Sequence, residues 1–181
     1  MSAIPEIKAV GILAEMLALE CGYSPEKSRQ IRIASVMHDC GKRFIPAHIR
    51  DKPGKLTPQE FEIMKTHTTL GHEFLSSLYG ELGQMARTIA MYHHEHFFGD
   101  GGYWGVPAST LPQYVGIVSL CDVLCSLLYR RVYKPAWPPE EALAYIQSKA
   151  GTQFCPELTD IFIRMIRTKD CISAIFTEVS Q

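Results

Sequence analysis

The sequence predicts an all-α fold, a single helical-bundle domain over residues 1–181. Three observations predict it. Apolar residues recur at three- and four-residue spacing in nearly every segment. The breaks carry helix-ending glycines and helix-starting Ser, Thr and Pro. No segment reads as a strand. At 181 residues, 46% of them hydrophobic, the chain can bury one core of its own.

The elements follow in order. "EIKAVGILAEMLALECG" puts Ile7, Val10, Leu13, Ala14 and Leu17 on one face, with Gly22 as the stop. "SPEKSRQIRIASVMHDCG" opens with Ser24 as N-cap and Pro25 at the first helical position, and closes at Gly41. "FIPAHIRDKPGKL" reads as a loop turning at Lys52-Pro53-Gly54. "TPQEFEIMKTHTTLGHEFLSSLYG" starts on a capping box, Thr57 to Glu60. It reads as one helix with Phe61, Met64, Leu70, Phe74, Leu75 and Leu78 at helical spacing. "GQMARTIAMYHHEH" is the next helix, ending at the aromatic, glycine-rich loop "FFGDGGYWGVPAST". "LPQYVGIVSLCDVLCSLLYRR" is almost wholly apolar and therefore central. Two amphipathic helices follow, "PPEEALAYIQSKAG" and "CPELTDIFIRMIRTKD"; "CISAIFTEVSQ" has no clear pattern.

Composition excludes several function classes. A net charge of -1, from 18 basic and 19 acidic residues, offers no basic face for DNA or RNA. No apolar run is long enough to span a membrane, and no charged leader precedes a signal-like stretch. Six cysteines without a C-x-x-C pair read as reduced, mostly buried thiols of a cytoplasmic protein. A small anionic ligand held by a few placed cations remains compatible with this chain.

The chemistry concentrates in histidines and two carboxylates. His38, His67, His93 and His94 stand at the ends or on the faces of predicted helices. Asp39 adjoins His38, and Asp122 interrupts the apolar run "VSLCDVLCSLL", where a lone carboxylate needs a partner. Imidazole nitrogens with carboxylate oxygens suit Zn, Fe, Mn or Ni. Helical neighbours diverge by about 100°. An Asp39 bridging two ions beside a His38 that serves one fits that divergence. Any one of these histidines alone is more often a satisfied core or surface group. Asp39 with Lys42 also reads as a helix-end pair, and Asp122 as a partner for Arg131. The joint order H-D, H, H-H, D favours a metal.

The stretches "HDCGKRFIPAHIRDKPGKLTPQEFEIMKTHTTLGHEFL", "HHEHFFGDGGYWG" and "CDVLCSLLYRRVYKPAWPPEEAL" resemble the HD-GYP branch of the HD-domain metal-dependent phosphohydrolases. The resemblance runs from about Ser24 to about Phe162. It implies an all-α fold, a bi- or trinuclear metal centre and hydrolysis of cyclic di-GMP. Carried over, His38 and Asp39 are the paired ligands, Asp39 bridging. His67, the pair His93 and His94, and Asp122 complete the ligands. Lys42 contacts phosphate, Tyr103 is the signature tyrosine, and Arg131 and Lys134 lie near the nucleotide. The chain also departs from the pattern. Trp104 replaces the signature proline, and the loop before it is one residue longer. Cys125 and Cys155 stand where the family has aspartates, and Glu6 where it has a ligand histidine.

The resemblance therefore implies two divalent transition metal ions, Fe or Mn favoured over Zn or Ni, and cyclic-dinucleotide hydrolysis through a metal-bridging hydroxide. Tyr103, Trp104, Phe97 and Phe98 are expected to wall the site for base stacking. Two other readings stand beside this one: a phosphohydrolase for another nucleotide, and a catalytically impaired metal-containing receptor or interaction module. A homodimer or a signalling-protein partner is compatible with each.

Overall fold

The structure, a computed structural model, describes residues 4–129 and 136–169. Among the described residues its regular structure is helical, apart from a bridge pairing Ala150 with Phe154. The helices are α1 (Ile4–Glu20), α2 (Pro25–Ser35), α3 (Ala47–Arg50), α4 (Pro58–Lys65), α5 (His67–Phe74), α6 (Gly80–Tyr92), α7 (Gln113–Leu128), α8 (Pro139–Ser148) and α9 (Pro156–Thr168). Short 3₁₀ segments follow α2, α5 and the aromatic loop.

The apolar run of α7 is the centre, as its composition predicts. Ile117, Leu120, Cys121 and Leu124 are fully buried there. Opposite them α1 buries Val10, Leu13, Ala14 and Leu17. Each such Leu or Ile contributes roughly 1.5–3 kcal/mol by leaving water. Around this pair, α2 packs on α1, α6 on α2 and α5 on α6, while α8 and α9 close over α7. The caps follow the sequence. Ser24 Oγ accepts from Lys27 N at 3.2 Å. Thr57 Oγ1 accepts from Glu60 N at 3.2 Å while Glu60 Oε2 accepts from Thr57 N at 2.7 Å.

Three expectations need correction. The helix begun at Pro25 ends at Ser35, not Gly41. Ser35 Oγ donates to Arg32 O at 2.8 Å, and the His38 ring bonds Ser35 O at 2.7 Å. Side chains thus take carbonyls that a longer helix would use. The chain tightens into turns and then the 3₁₀ segment Cys40–Phe44. The stretch after it is not all loop, since α3 anchors it through buried Ile49.

The long helix expected over 57–80 breaks at Thr66, whose hydroxyl donates to Ile63 O at 2.7 Å. Beyond the break, the His67 ring bonds Met64 O at 2.7 Å. Its supposed apolar face is partly wet, with Phe61, Phe74 and Leu78 exposed and Leu75 buried. The unassigned stretch "CISAIFTEVSQ" lies outside the described residues.

Cys21, Cys40, Cys121, Cys125 and Cys155 are free thiols, and Cys171 lies outside the described residues. Burial, then nearby Asp122 and Cys21, pushes the Cys121 thiol well up; burial, then Cys121, Asp122 and Glu6, does so for Cys125. Both should resist iodoacetamide in the native protein and react after unfolding. Fast native labelling at either would contradict this packing. Among the described residues, no helix is long and apolar enough to cross a membrane.

Candidate metal centre

Four segments meet at one point. The turn after α2 brings His38 and Asp39, and α5 starts with His67. The C-terminal end of α6 brings His93 and His94, and the middle of α7 brings Asp122. One donor atom from each of Asp39, His67, His93 and His94 lies within 4.8 Å of the others. A second group, His38, His93 and Asp122, meets the same limit and shares His93.

The two oxygens of Asp39 face different ways. Oδ1 is 3.3 Å from His67 Nε2 and 3.7 Å from His93 Nε2. Oδ2 is 3.4 Å from His38 Nε2 and 2.5 Å from Lys42 Nζ. His38 Nε2 is also 3.4 Å from Asp122 Oδ1. Asp39 therefore spans both groups.

Backbone carbonyls set the histidine tautomers. The Nδ1 atoms of His38 and His67 each lie 2.7 Å from a carbonyl, Ser35 O and Met64 O. His93 Nδ1 lies 3.0 Å from Ile89 O and 3.2 Å from Ala90 O. A carbonyl only accepts, so each Nδ1 carries the proton and donates. The Nε2 atoms of His67 and His93 then point inward, as ligand histidines require. Asp39 Oδ1, His67 Nε2 and His93 Nε2 are buried with no hydrogen-bond partner. Three acceptors facing one another fit a cation between them, because buried polar atoms are otherwise satisfied.

The electrostatics agree. Burial lowers the basicity of His93, and burial with His93 beside it lowers that of His94 further, so both rings are neutral donors. Burial opposes the charge on His38 too, but Asp39 and Asp122 outweigh it and hold its pKa up at about 10. Burial works against the Asp39 charge, yet Lys42 and His38 keep its carboxyl well below the usual range. The pocket draws in positive charge.

Other candidates fall at varied distances. The Tyr103 ring lies against His94, centroids 4.4 Å apart, and burial with Asp39 and Asp122 raises its hydroxyl. Glu6 is buried but outside both donor groups; it adds to the raised pKa of Cys125, behind burial, Cys121 and Asp122. Arg131 and Lys134 lie outside the described residues. The expected aromatic wall changes membership. Phe98 is 62% exposed and packs on Phe97, which lines a separate cavity with Phe154 and Leu158. In their place Phe61 meets Tyr103 edge-on at 5.7 Å.

Two positioning features escaped the sequence. Glu95, 1% exposed, accepts Trp104 N at 2.8 Å on Oε1 and Val106 N at 2.9 Å on Oε2. It holds the aromatic loop against the centre, and Gly102 lies so close that a Cβ there would be 2.6 Å from Oε2. Gly41 is the second: a Cβ there would sit 1.9 Å from His67 O. Only the adjacency of Glu95 to "HH" and of Gly41 to "HDC" hinted at either.

A protein-family model described as HD domain matches residues 3–158. The cyclic di-GMP phosphodiesterase response regulator RpfG of Xanthomonas campestris is 38% identical over 152 residues, 84% of this chain and 40% of RpfG. A cyclic di-GMP phosphodiesterase of Thermotoga maritima is 39% identical over 156 residues, 86% of this chain and 42% of that protein. The chain thus spans about two fifths of the length of these relatives. The solved structure of Bd1817, described as an HDG"Y"P protein from Bdellovibrio bacteriovorus, superposes with a TM-score of 0.71 at 17% identity. The match covers 90% of this chain and 51% of that one, and at this identity it shows the fold.

Proposed function

The chain belongs to the HD-domain family, and from that membership we propose that it is a metal-dependent phosphodiesterase for a cyclic dinucleotide, cyclic di-GMP first. The observation that carries the reading is the convergence of three orphaned acceptors, Asp39 Oδ1, His67 Nε2 and His93 Nε2. Asp39, His67, His93 and His94 would hold one divalent ion, and His38 with Asp122 a second, Asp39 spanning the two. The mixed oxygen and nitrogen donors favour Fe or Mn, with Zn or Ni as the alternatives.

When bound, such ions supply Lewis acidity, lowering the pKa of a water and drawing in phosphate oxygens. The chain's own groups do the rest. Lys42, on the Oδ2 side of Asp39, would offset the negative charge that grows on the phosphoryl oxygens. Tyr103 keeps its proton, since burial and two carboxylates raise its pKa, and is a hydrogen-bond donor at the mouth. The backbone-held imidazoles need no reorganisation to present Nε2. Arg131 and Lys134 remain proposed contacts to the nucleotide. We place this activity in one domain of a cytoplasmic protein, alone or as a homodimer or with a signalling partner.

The test is direct. The chain loaded with Mn or Fe(II) is incubated with cyclic di-GMP, and the linear dinucleotide is followed by chromatography. No product with either metal, at full metal loading, would overturn the reading and favour a metal-containing receptor.

Glu6 bears on the rate. It is proposed to complete the His38–Asp122 group from α1. A carboxylate in place of an imidazole changes the site by a full charge, which predicts slow turnover best supported by Mn or Fe. Glu6→Ala should lose one metal equivalent while the four-donor group stays filled, and Glu6→His should raise the rate. Full metal content and rate in Glu6→Ala would remove Glu6 from the ligands.

A further inference from the structure

Trp104 is exposed yet tightly held. Its backbone N–H donates to Glu95 Oε1 at 2.8 Å, and its indole Nε1–H donates to Thr68 Oγ1 at 3.0 Å. Both ends of the residue are thus fixed while 40% of it faces water. A core role would bury the ring, and a purely incidental surface ring would not be tied twice. Phe61, 43% exposed, flanks the same region. Between them stands Lys65, its ammonium 5.7 Å from the Trp104 ring centre and 5.9 Å from that of Phe61. Lys65 also pairs with Glu62 at 2.9 Å, which steadies its head group.

This cluster adjoins the metal centre. Thr68, which holds the indole, directly follows His67 in α5. Tyr103 bridges the two regions, 4.4 Å from the His94 ring and 5.7 Å from Phe61. A nucleotide with its phosphate at the donors would carry its base towards Trp104 and Phe61. Rigid aromatic faces stack bases at little entropic cost. A lysine ammonium distinguishes among bases, since guanine offers two adjacent acceptors, O6 and N7, where adenine offers N7 beside an amino donor.

We propose that Trp104, Phe61 and Lys65 form a guanine-binding subsite beside the metal centre, preset by Glu95 and Thr68. The subsite rests on the nucleotide phosphodiesterase reading above, and it names the base that this chain selects. Trp104 and Phe61 stack the ring, and the Lys65 ammonium donates to its acceptor edge. Glu95 is a positioning residue that acts through the Trp104 backbone.

The test uses mononucleotides, so it does not depend on turnover. In Mn-loaded Trp137→Phe protein, Trp104 is the remaining tryptophan and reports directly. GMP should quench its emission and bind more tightly than AMP, while ribose 5-phosphate should bind far more weakly and quench little. By equilibrium dialysis, Trp104→Ala should weaken GMP binding about tenfold or more with metal content unchanged. Lys65→Met should erase the preference for GMP over AMP. Glu95→Gln, which leaves one of the two loop N–H groups without an acceptor, should raise KM for cyclic di-GMP with metal content unchanged. Wild-type GMP affinity in Trp104→Ala, or ribose 5-phosphate binding as tightly as GMP, would overturn the subsite. Should cyclic di-GMP hydrolysis persist in that case, the phosphodiesterase reading survives alone. Should GMP bind through Trp104 while no cyclic dinucleotide is cleaved, the subsite survives and the phosphodiesterase reading fails.

Discussion

Asp39→Asn is expected to empty both donor groups and to lower phosphodiesterase turnover by at least about 10³-fold. The carboxylate turns one oxygen to each group, with Oδ1 towards His67 and His93 and Oδ2 towards His38 and Lys42. The amide keeps the shape and removes the charge. Its NH₂ can donate to an orphaned imidazole nitrogen, which offsets part of the lost pairing with Lys42 and His38, so the metal-free protein should still fold and melt cooperatively. That combination separates lost ligation from lost folding. Elemental analysis and a thermal melt read the two effects independently. Wild-type metal content in Asp39→Asn would sink the assignment of Asp39 as the spanning ligand.

Gly41→Ala should be the most damaging single-methyl change near the centre. The added Cβ would sit 1.9 Å from His67 O and 2.5 Å from Gly71 N. Both obstacles are backbone, so no rotamer change relieves them. Either the turn after α2 or α5 must shift, and these carry Asp39 and His67. The expected cost is about 3 kcal/mol, at the upper end for overpacking. For a chain of this size that lowers Tm by roughly 6–12 °C. Metal retention should fall with it. Gly116→Ala is the control, because its Cβ would meet only the flexible end of Leu158, Cδ2 at 3.2 Å. A Gly41→Ala protein that melts within roughly 2 °C of wild type would show that the turn and α5 are not packed as described.

Much of the architecture was legible in one dimension because helix signals are local. Caps at Ser24 and Thr57, and the apolar run that became α7, depend on residues within a turn or two of each other. Candidate donors were legible for a different reason. Imidazoles and carboxylates beside apolar runs are costly without partners, so His38, Asp39, His67, His93, His94 and Asp122 drew notice as a set. The breaks at Ser35 and Thr66 were hidden, since each depends on a side chain taking a nearby carbonyl in preference to the helix.

Only tertiary structure decided how the donors divide. Which oxygen of Asp39 meets which histidine depends on how the turn after α2 lies against α5, α6 and α7, and that depends in turn on the glycine contact at Gly41. Nor could spacing exchange Phe97 and Phe98 for Phe61 beside Tyr103, because that outcome depends on packing between distant segments. Glu95 shows the same limit. Its partners are backbone N–H groups of an aperiodic loop, which side-chain patterns do not register. Helical periodicity determined the elements and the donor types of this chain, while convergence was decided by helix packing, which places atoms that no local repeat relates.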